Sequence, residues 1–206
     1  MTAAELDVVT LDAYGTLVTL RDPVPELTRA LEARGEPRSV EQVRRGFRAE
    51  VAYYRDHSGV GHDEDGLRRL QRDCAKVFLD GVGANLDAAE FAPVYAGAMR
   101  FEVLPGVEGS LARLRALGLE LAVVANWDLT LQAMLSDAGL AHFFSVVVHA
   151  ARKPEPSGFL RALVELGVEP HRALHIGDDE VDARGAAVAG LHFAPAPVDQ
   201  AVQALL

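Results

Sequence analysis

The sequence predicts an α/β fold: a parallel sheet flanked by helices, interrupted near its start by a long helical insert. Three observations carry this prediction. Short apolar runs end on polar residues, Val8–Leu11 on Asp12, Leu119–Ala125 on Asn126 and Ala173–Ile176 on the pair Asp178-Asp179 after a glycine. From Leu104 onward, helix-period stretches separate such runs, the alternation that builds βαβ units and a parallel sheet. Between Pro23 and Gly97 no strand-like run of comparable quality occurs, so that span reads as helices alone.

Val8 to Asp12 is the first strand, and Gly15-Thr16 lets the chain leave it sharply. Pro23 to Arg34 reads as a helix with Leu27, Ala30 and Leu31 on one face and Gly35 as its stop. Ser39 with Gln42 predicts a capping box for the next helix, which carries Val40, Val43, Phe47, Val51 and Tyr54 at helical spacing. Leu67, Leu70, Cys74, Val77 and Phe78 stripe a third helix, and Ala88 to Met99 is a fourth. The second half continues with a helix through Leu111, Leu114 and Leu117, then a strand from Leu119 to Ala125. A helix through Leu131, Met134 and Leu135 follows, then a strand at Val146–Val148 and a helix from Ser157 to Leu166. The last elements are a strand from Ala173 to Ile176, a helix from Arg184 to Ala189 and a short strand from Leu191 to Ala194. The expected division is a core of residues 1–17 and 100–206 with a helical insert over 18–99.

Composition narrows the function classes. The 206 residues, half of them apolar, suit one domain or a domain plus an insert. A formal net charge of -10 argues against a nucleic-acid surface, which needs a basic patch. A small anionic substrate remains compatible, because local charge decides that. The single cysteine, Cys74, excludes an internal disulfide and reads as a buried thiol. The start of the chain lacks the basic and apolar regions of a signal peptide, and no run is apolar enough to cross a membrane, so the expected location is the cytoplasm.

In an open parallel sheet, ligands bind outside the carboxyl ends of the strands. Asp12, Asn126, Lys153 and Asp178 fall at or just after those ends, with Asp179 and Asp182 following. Carboxylates brought together resist ionising unless a cation joins them. Asp12, Asp178 and Asp182 near one point imply a hard divalent ion, and Mg2+ suits because it takes oxygen ligands and leaves room for a phosphate. A carboxylate beside Mg2+ and Lys153 can attack phosphorus and form an aspartyl-phosphate.

The order Asp12-x-x-Gly15-Thr16, Asn126, Lys153-Pro154 and Gly177-Asp178-x-x-x-Asp182 resembles the haloacid dehalogenase-like (HAD) hydrolase superfamily over nearly the whole chain. The insert resembles that family's C1-type cap. The resemblance implies a Rossmann-like core, nucleophilic attack by Asp12 with help from Lys153, and Mg2+ held by Asp12, Asp178 and the backbone carbonyl of Tyr14, with Asp182 behind them. Thr16, Asn126 and Arg45 are the expected substrate contacts, and the expected partner is a small phosphomonoester. Two departures stand out. Tyr14 occupies the place of the second Asp, the general acid/base of the family's phosphatases, and Ala125 stands where a hydroxyl residue is usual. Losing such an acid typically costs ~10²–10⁴-fold, so slow turnover is expected. Asp-Ala-Tyr-Gly-Thr also resembles the first motif of the metal-free 2-haloacid dehalogenases, in which a cap arginine, here Arg45, helps receive the halide. That is the second reading. A phosphate-binding or regulatory relative with little turnover is the third.

Other polar residues read more plainly. Asp179 reads as a surface residue or a helix cap, and Asp128 as a cap or a substitute acid. Trp127 reads as a wall of the site, and the loop His57–Asp65 as an exposed connection rather than a metal site. His175 and His192 read as core or edge residues of their strands.

Overall fold

The computed structural model describes residues 2–206. In chain order its strands and α-helices are β1 (Val8–Leu11), β2 (Val18–Leu20), α1 (Val24–Glu32), α2 (Val40–His57), α3 (Glu64–Val82), α4 (Ala88–Ala98), β3 (Phe101–Val103), α5 (Val107–Ala116), β4 (Glu120–Val124), α6 (Leu131–Asp137), β5 (Val146–Val148), α7 (Ser157–Leu166), β6 (Ala173–Gly177), α8 (Glu180–Ala189), β7 (His192–Pro195) and α9 (Val198–Gln203). They form two compact units, one made of the chain up to Thr19 with Phe101–Leu206, the other of Leu20–Arg100.

The first unit is built on a parallel sheet of order β5-β4-β1-β6-β7. β1 is its middle strand, pairing Thr10 with Ala122 on one side and with His175 on the other. Successive side chains of a strand point to opposite faces. Val9, Leu11, Leu121, Val123, Leu174 and Ile176 accordingly enter one core with Leu111, Leu114, Leu131 and Val202 from α5, α6 and α9. Val8, Ala122, Val124 and Ala173 enter another with Phe159, Leu163, Ala186 and Ala189 from α7 and α8. A sheet covered on both faces is why its strands read as nearly unbroken apolar runs. The α/β architecture expected from the alternation is the one observed.

The second unit is helical. The Ser39–Gln42 capping box forms, with Gln42 N–H donating to Ser39 Oγ at 3.3 Å and Ser39 N–H to Gln42 Oε1 at 2.9 Å. Leu27, Leu31, Val43, Phe78, Leu79 and Phe91 fill its core. Each such fully buried side chain contributes about 1.5–3 kcal/mol relative to exposure. Glu50 is buried there too, and accepts a hydrogen bond of 2.8 Å from the Tyr95 hydroxyl. Burial pushes its carboxyl above the ordinary value.

Several elements differ from expectation. β2 and β3 form a separate two-stranded sheet, and α9 closes the chain. These pieces are three, three and six residues long, too short to show a period. α8 starts four residues earlier than its apolar pattern, because Asp179 and Asp182 form a capping box. The segment Ser58–His62, expected as an exposed loop, is a 3-10 turn with Ser58 buried. Among the described residues no helix is long and apolar enough to cross a membrane.

Candidate active site

Side-chain alternation builds the site from the sheet upward. With Val9 and Leu11 committed to one core, Thr10 and Asp12 share the other face, beside His175 and Gly177 of β6. Asp12 follows the last residue of β1, and its N–H donates to Ile176 O at 2.9 Å, so strand pairing carries one residue further. The residue is 9 % exposed, at the carboxyl end of the strand.

Lys153 arrives on an irregular loop clamped to the end of β4. Ala151 N–H donates to Ala125 O at 3.1 Å and Ala150 N–H to Trp127 O at 2.8 Å. The Asn126 side chain holds the Lys153 backbone at both polar groups, donating from Nδ2 to its carbonyl (3.0 Å) and accepting its N–H at Oδ1 (2.7 Å). Ala150 and Arg152 have φ of 48° and 57°. Left-handed geometry costs a non-glycine residue about 1–3 kcal/mol and survives where the surroundings over-determine it. The clamped loop delivers the Lys153 Nζ, itself buried, 2.5 Å from Asp12 Oδ1 and 2.5 Å from Asp182 Oδ1.

Asp182 lies in the first turn of α8. Its Oδ1 accepts from Lys153 and lies 3.2 Å from His175 Nε2, and its Oδ2 accepts the Asp179 N–H at 3.2 Å. Gly177 makes room for it: a Cβ there would sit 2.5 Å from Asp182 Cγ. Gly15 does the same for Asp178. It holds φ of +79°, and a Cβ on it would fall 2.1 Å from Asp178 Oδ2. The buried Thr16 hydroxyl donates to Asp178 Oδ1 at 3.4 Å. As a result, one oxygen each from Asp12, Asp178 and Asp182 lies within 4.8 Å of the others.

The electrostatics follow from this crowding. Burial raises the Asp12 carboxyl above its ordinary value, Lys153 opposes the rise and Asp182 adds to it. Burial also works against ionising Asp182, but the His175 hydrogen bond and the Lys153 ammonium outweigh it and hold that carboxyl at about 2. Asp178 is raised by burial and by the nearby Asp182. Three carboxylates facing one ammonium leave two negative charges unbalanced at a cluster of hard oxygen donors. That donor set fits a hard divalent cation.

Four of the expected site residues, Asp12, Lys153, Asp178 and Asp182, therefore meet. Thr16 and Asn126 adjoin them through hydrogen bonds to Asp178 and to the Lys153 backbone. Tyr14 stands in the turn after β1 with its ring half exposed. Arg45 belongs to α2 of the helical unit, where its Nε donates to Gly81 O at 3.2 Å. Asp128 holds the turn before α6, its Oδ1 accepting from Thr130 N–H (2.8 Å) and Thr130 Oγ1 (2.6 Å). Thr10 and His175, read from sequence as ordinary strand residues, join the polar network. The signal that marks them is parity: each is a polar residue in an apolar run, two positions before Asp12 or Gly177.

Comparison with known proteins shows the family to which the chain belongs. The family described as haloacid dehalogenase-like hydrolase matches residues 6–190. The bovine (Bos taurus) haloacid dehalogenase-like hydrolase domain-containing protein 3 is 32% identical, over 97% of this chain and 86% of that protein. Phosphoglycolate phosphatase 1 of Pseudomonas aeruginosa is 30% identical, over 90% of this chain and 67% of that protein. Among solved structures, the L-2-haloacid dehalogenase of Xanthobacter autotrophicus superposes with a TM-score of 0.67 at 26% identity, covering 92% of this chain and 77% of that one. With its motifs gathered at the strand ends and the family match spanning most of its length, the chain belongs to the haloacid dehalogenase-like hydrolases.

Proposed function

We propose that the protein is a Mg2+-dependent phosphatase acting in the cytoplasm on a small phosphomonoester, through an aspartyl-phosphate on Asp12. The observation that carries this reading is the buried Lys153 ammonium bound to Asp12 beside two further carboxylates. Asp12, Asp178 and the backbone carbonyl of Tyr14 would hold Mg2+, with Asp182 behind them, and the ion would supply charge neutralisation at the transferring phosphoryl group. Asp12 attacks phosphorus as the bond to the ester oxygen breaks, and Lys153 stabilises charge on the phosphoryl oxygens. With Tyr14 in the acid's place, the leaving oxygen takes its proton from water. A second water then attacks the aspartyl-phosphate and releases inorganic phosphate. The helical unit, inserted directly after the Asp12 turn in the sequence, is assigned as the cap that selects the substrate, with Arg45 as its anion contact. A relative named as a phosphoglycolate phosphatase supports the substrate class.

A specific observation favours each alternative. The solved dehalogenase neighbour favours carbon–halide hydrolysis, but Asp178 and Asp182 would repel a carboxylate substrate. The side chains of Thr16 and Asn126 are already engaged with Asp178 and Lys153, which favours weak turnover. The deciding experiment is a panel of phosphomonoesters assayed with Mg2+ and with chelator. Phosphate release is expected only with Mg2+, and Asp12→Asn should abolish it. Full activity in Asp12→Asn, or indifference to Mg2+, overturns the reading. Chloride release from 2-chloropropionate without metal would replace it by dehalogenation.

A further inference from the structure

We propose that His175 is a positioning residue: it fixes the Asp182 carboxylate, and through it the Lys153 ammonium against Asp12. The role rests on the phosphatase reading above, because it concerns the geometry of that nucleophile.

His175 is fully buried in β6, beside Thr10 of β1 in the strand register. Phe159 meets its ring edge-on, with centroids 4.8 Å apart and planes at 85°. Both ring nitrogens are placed, Nδ1 2.8 Å from Thr10 Oγ1 and Nε2 3.2 Å from Asp182 Oδ1. These contacts select one tautomer. Asp182 Oδ1 already accepts from the Lys153 ammonium and so faces Nε2 as an acceptor, which puts the proton on Nε2; Nδ1 then accepts from the Thr10 hydroxyl. Turning the ring over would set carbon atoms against both partners and lose both bonds.

The result is a continuous line of contacts, Thr10–His175–Asp182–Lys153–Asp12, along one face of the sheet. Asp182 Oδ1 takes two donors from different directions, and the Asp179 N–H holds Oδ2. Removing the imidazole donor leaves Lys153 free to draw Asp182 out of position and to loosen from Asp12. A merely space-filling residue would need neither hydrogen bond.

The test compares His175→Gln, whose amide N–H reaches about as far as Nε2–H, with His175→Leu, which has no donor, and with Thr10→Val. The readouts are kcat and KM for p-nitrophenyl phosphate with Mg2+, binding of Mg2+ alone by calorimetry, and thermal melting. His175→Leu is expected to lower kcat and Mg2+ affinity by ~10–100-fold, as loss of groups that orient a metal site does, with KM little changed. His175→Gln should restore most of the loss, and Thr10→Val should show a smaller fall in the same two quantities. A folded His175→Leu with wild-type kcat and Mg2+ affinity overturns the proposal, as does a His175→Gln no better than His175→Leu. If His175→Leu does not fold, Thr10→Val decides: a lower kcat supports the role, and an unchanged one overturns it. Wild-type protein that neither turns over phosphomonoesters nor binds Mg2+ would instead overturn the phosphatase reading on which the proposal stands.

Discussion

Replacing Gly15 by alanine separates the proposed metal site from the fold. Gly15 sits at φ of +79° with Asp178 Oδ2 2.1 Å from where a Cβ would stand. Gly167, at the end of α7, has nearly the same backbone, φ of +69°, with nothing within 4 Å of that position. The left-handed conformation costs an L-residue about 1–2 kcal/mol, and the stiffer unfolded chain returns ~0.4–1 kcal/mol of it. Both variants should therefore lose about 1 kcal/mol, or ~2–4 °C in melting temperature for a chain of this size. They should differ in Mg2+ binding. The atom struck in Gly15→Ala is the end of a short, exposed side chain, so Asp178 swings aside more cheaply than the backbone moves. Calorimetric titration should find Mg2+ affinity down at least ~10-fold in Gly15→Ala and unchanged in Gly167→Ala. Wild-type Mg2+ affinity in Gly15→Ala would refute the assignment of Asp178 as a ligand held in place by the missing Cβ.

Two further outcomes are expected. Burial raises the Glu50 carboxyl above 4.5, so its contribution to stability is fully present below that pH and is lost as pH rises through the raised value. Urea denaturation of Glu50→Gln, which keeps an acceptor for Tyr95, should show a flatter pH dependence from pH 5 to 8 and a higher midpoint at pH 8; parallel curves for the two proteins would refute this. Restoring a carboxyl by Tyr14→Asp should speed hydrolysis of alkyl phosphates by up to ~10²–10⁴-fold while changing that of p-nitrophenyl phosphate far less, because nitrophenolate leaves without protonation. Equal effects on both substrates would show that proton transfer is not the step Tyr14 impairs.

The parts of the molecule legible in the sequence are those governed by period and by strand ends. Alternating runs located the five parallel strands, and the carboxyl-end rule gathered Asp12, Lys153, Asp178 and Asp182 from residues far apart in the chain. What stayed hidden depends on partners rather than spacing. The bonds that the Thr16 and Asn126 side chains make to Asp178 and to the Lys153 backbone are of this kind. A side-chain amide meets whatever polar group the folded loop presents, and no sequence interval encodes the path of the loop from His149 to Lys153. His175 was hidden for another reason: burial in an apolar run is what a core residue also shows, and only the register with Thr10 and the start of α8, capped by Asp179, bring it against Asp182.

The same contacts favour Asp12, rather than a neighbouring carboxylate, as the proposed nucleophile. Asp182 is more deeply buried and also touches Lys153, so proximity to the ammonium does not distinguish them. Hydrogen bonding does. Lys153 and His175 meet Asp182 at Oδ1, and the Asp179 N–H meets it at Oδ2; these bonds stabilise its charge and hold its carboxyl below the ordinary value. A carboxylate so stabilised has little reason to share its electrons with phosphorus. Asp12 is raised instead, so its charge is the less well satisfied of the two, and it stands at the carboxyl end of β1. A cation at the cluster would favour its ionised form, with Lys153 left to align one oxygen. In the proposed reaction Asp182 is then the fixed counter-charge that keeps Lys153 in place, and Asp12 is the carboxylate with an oxygen to give.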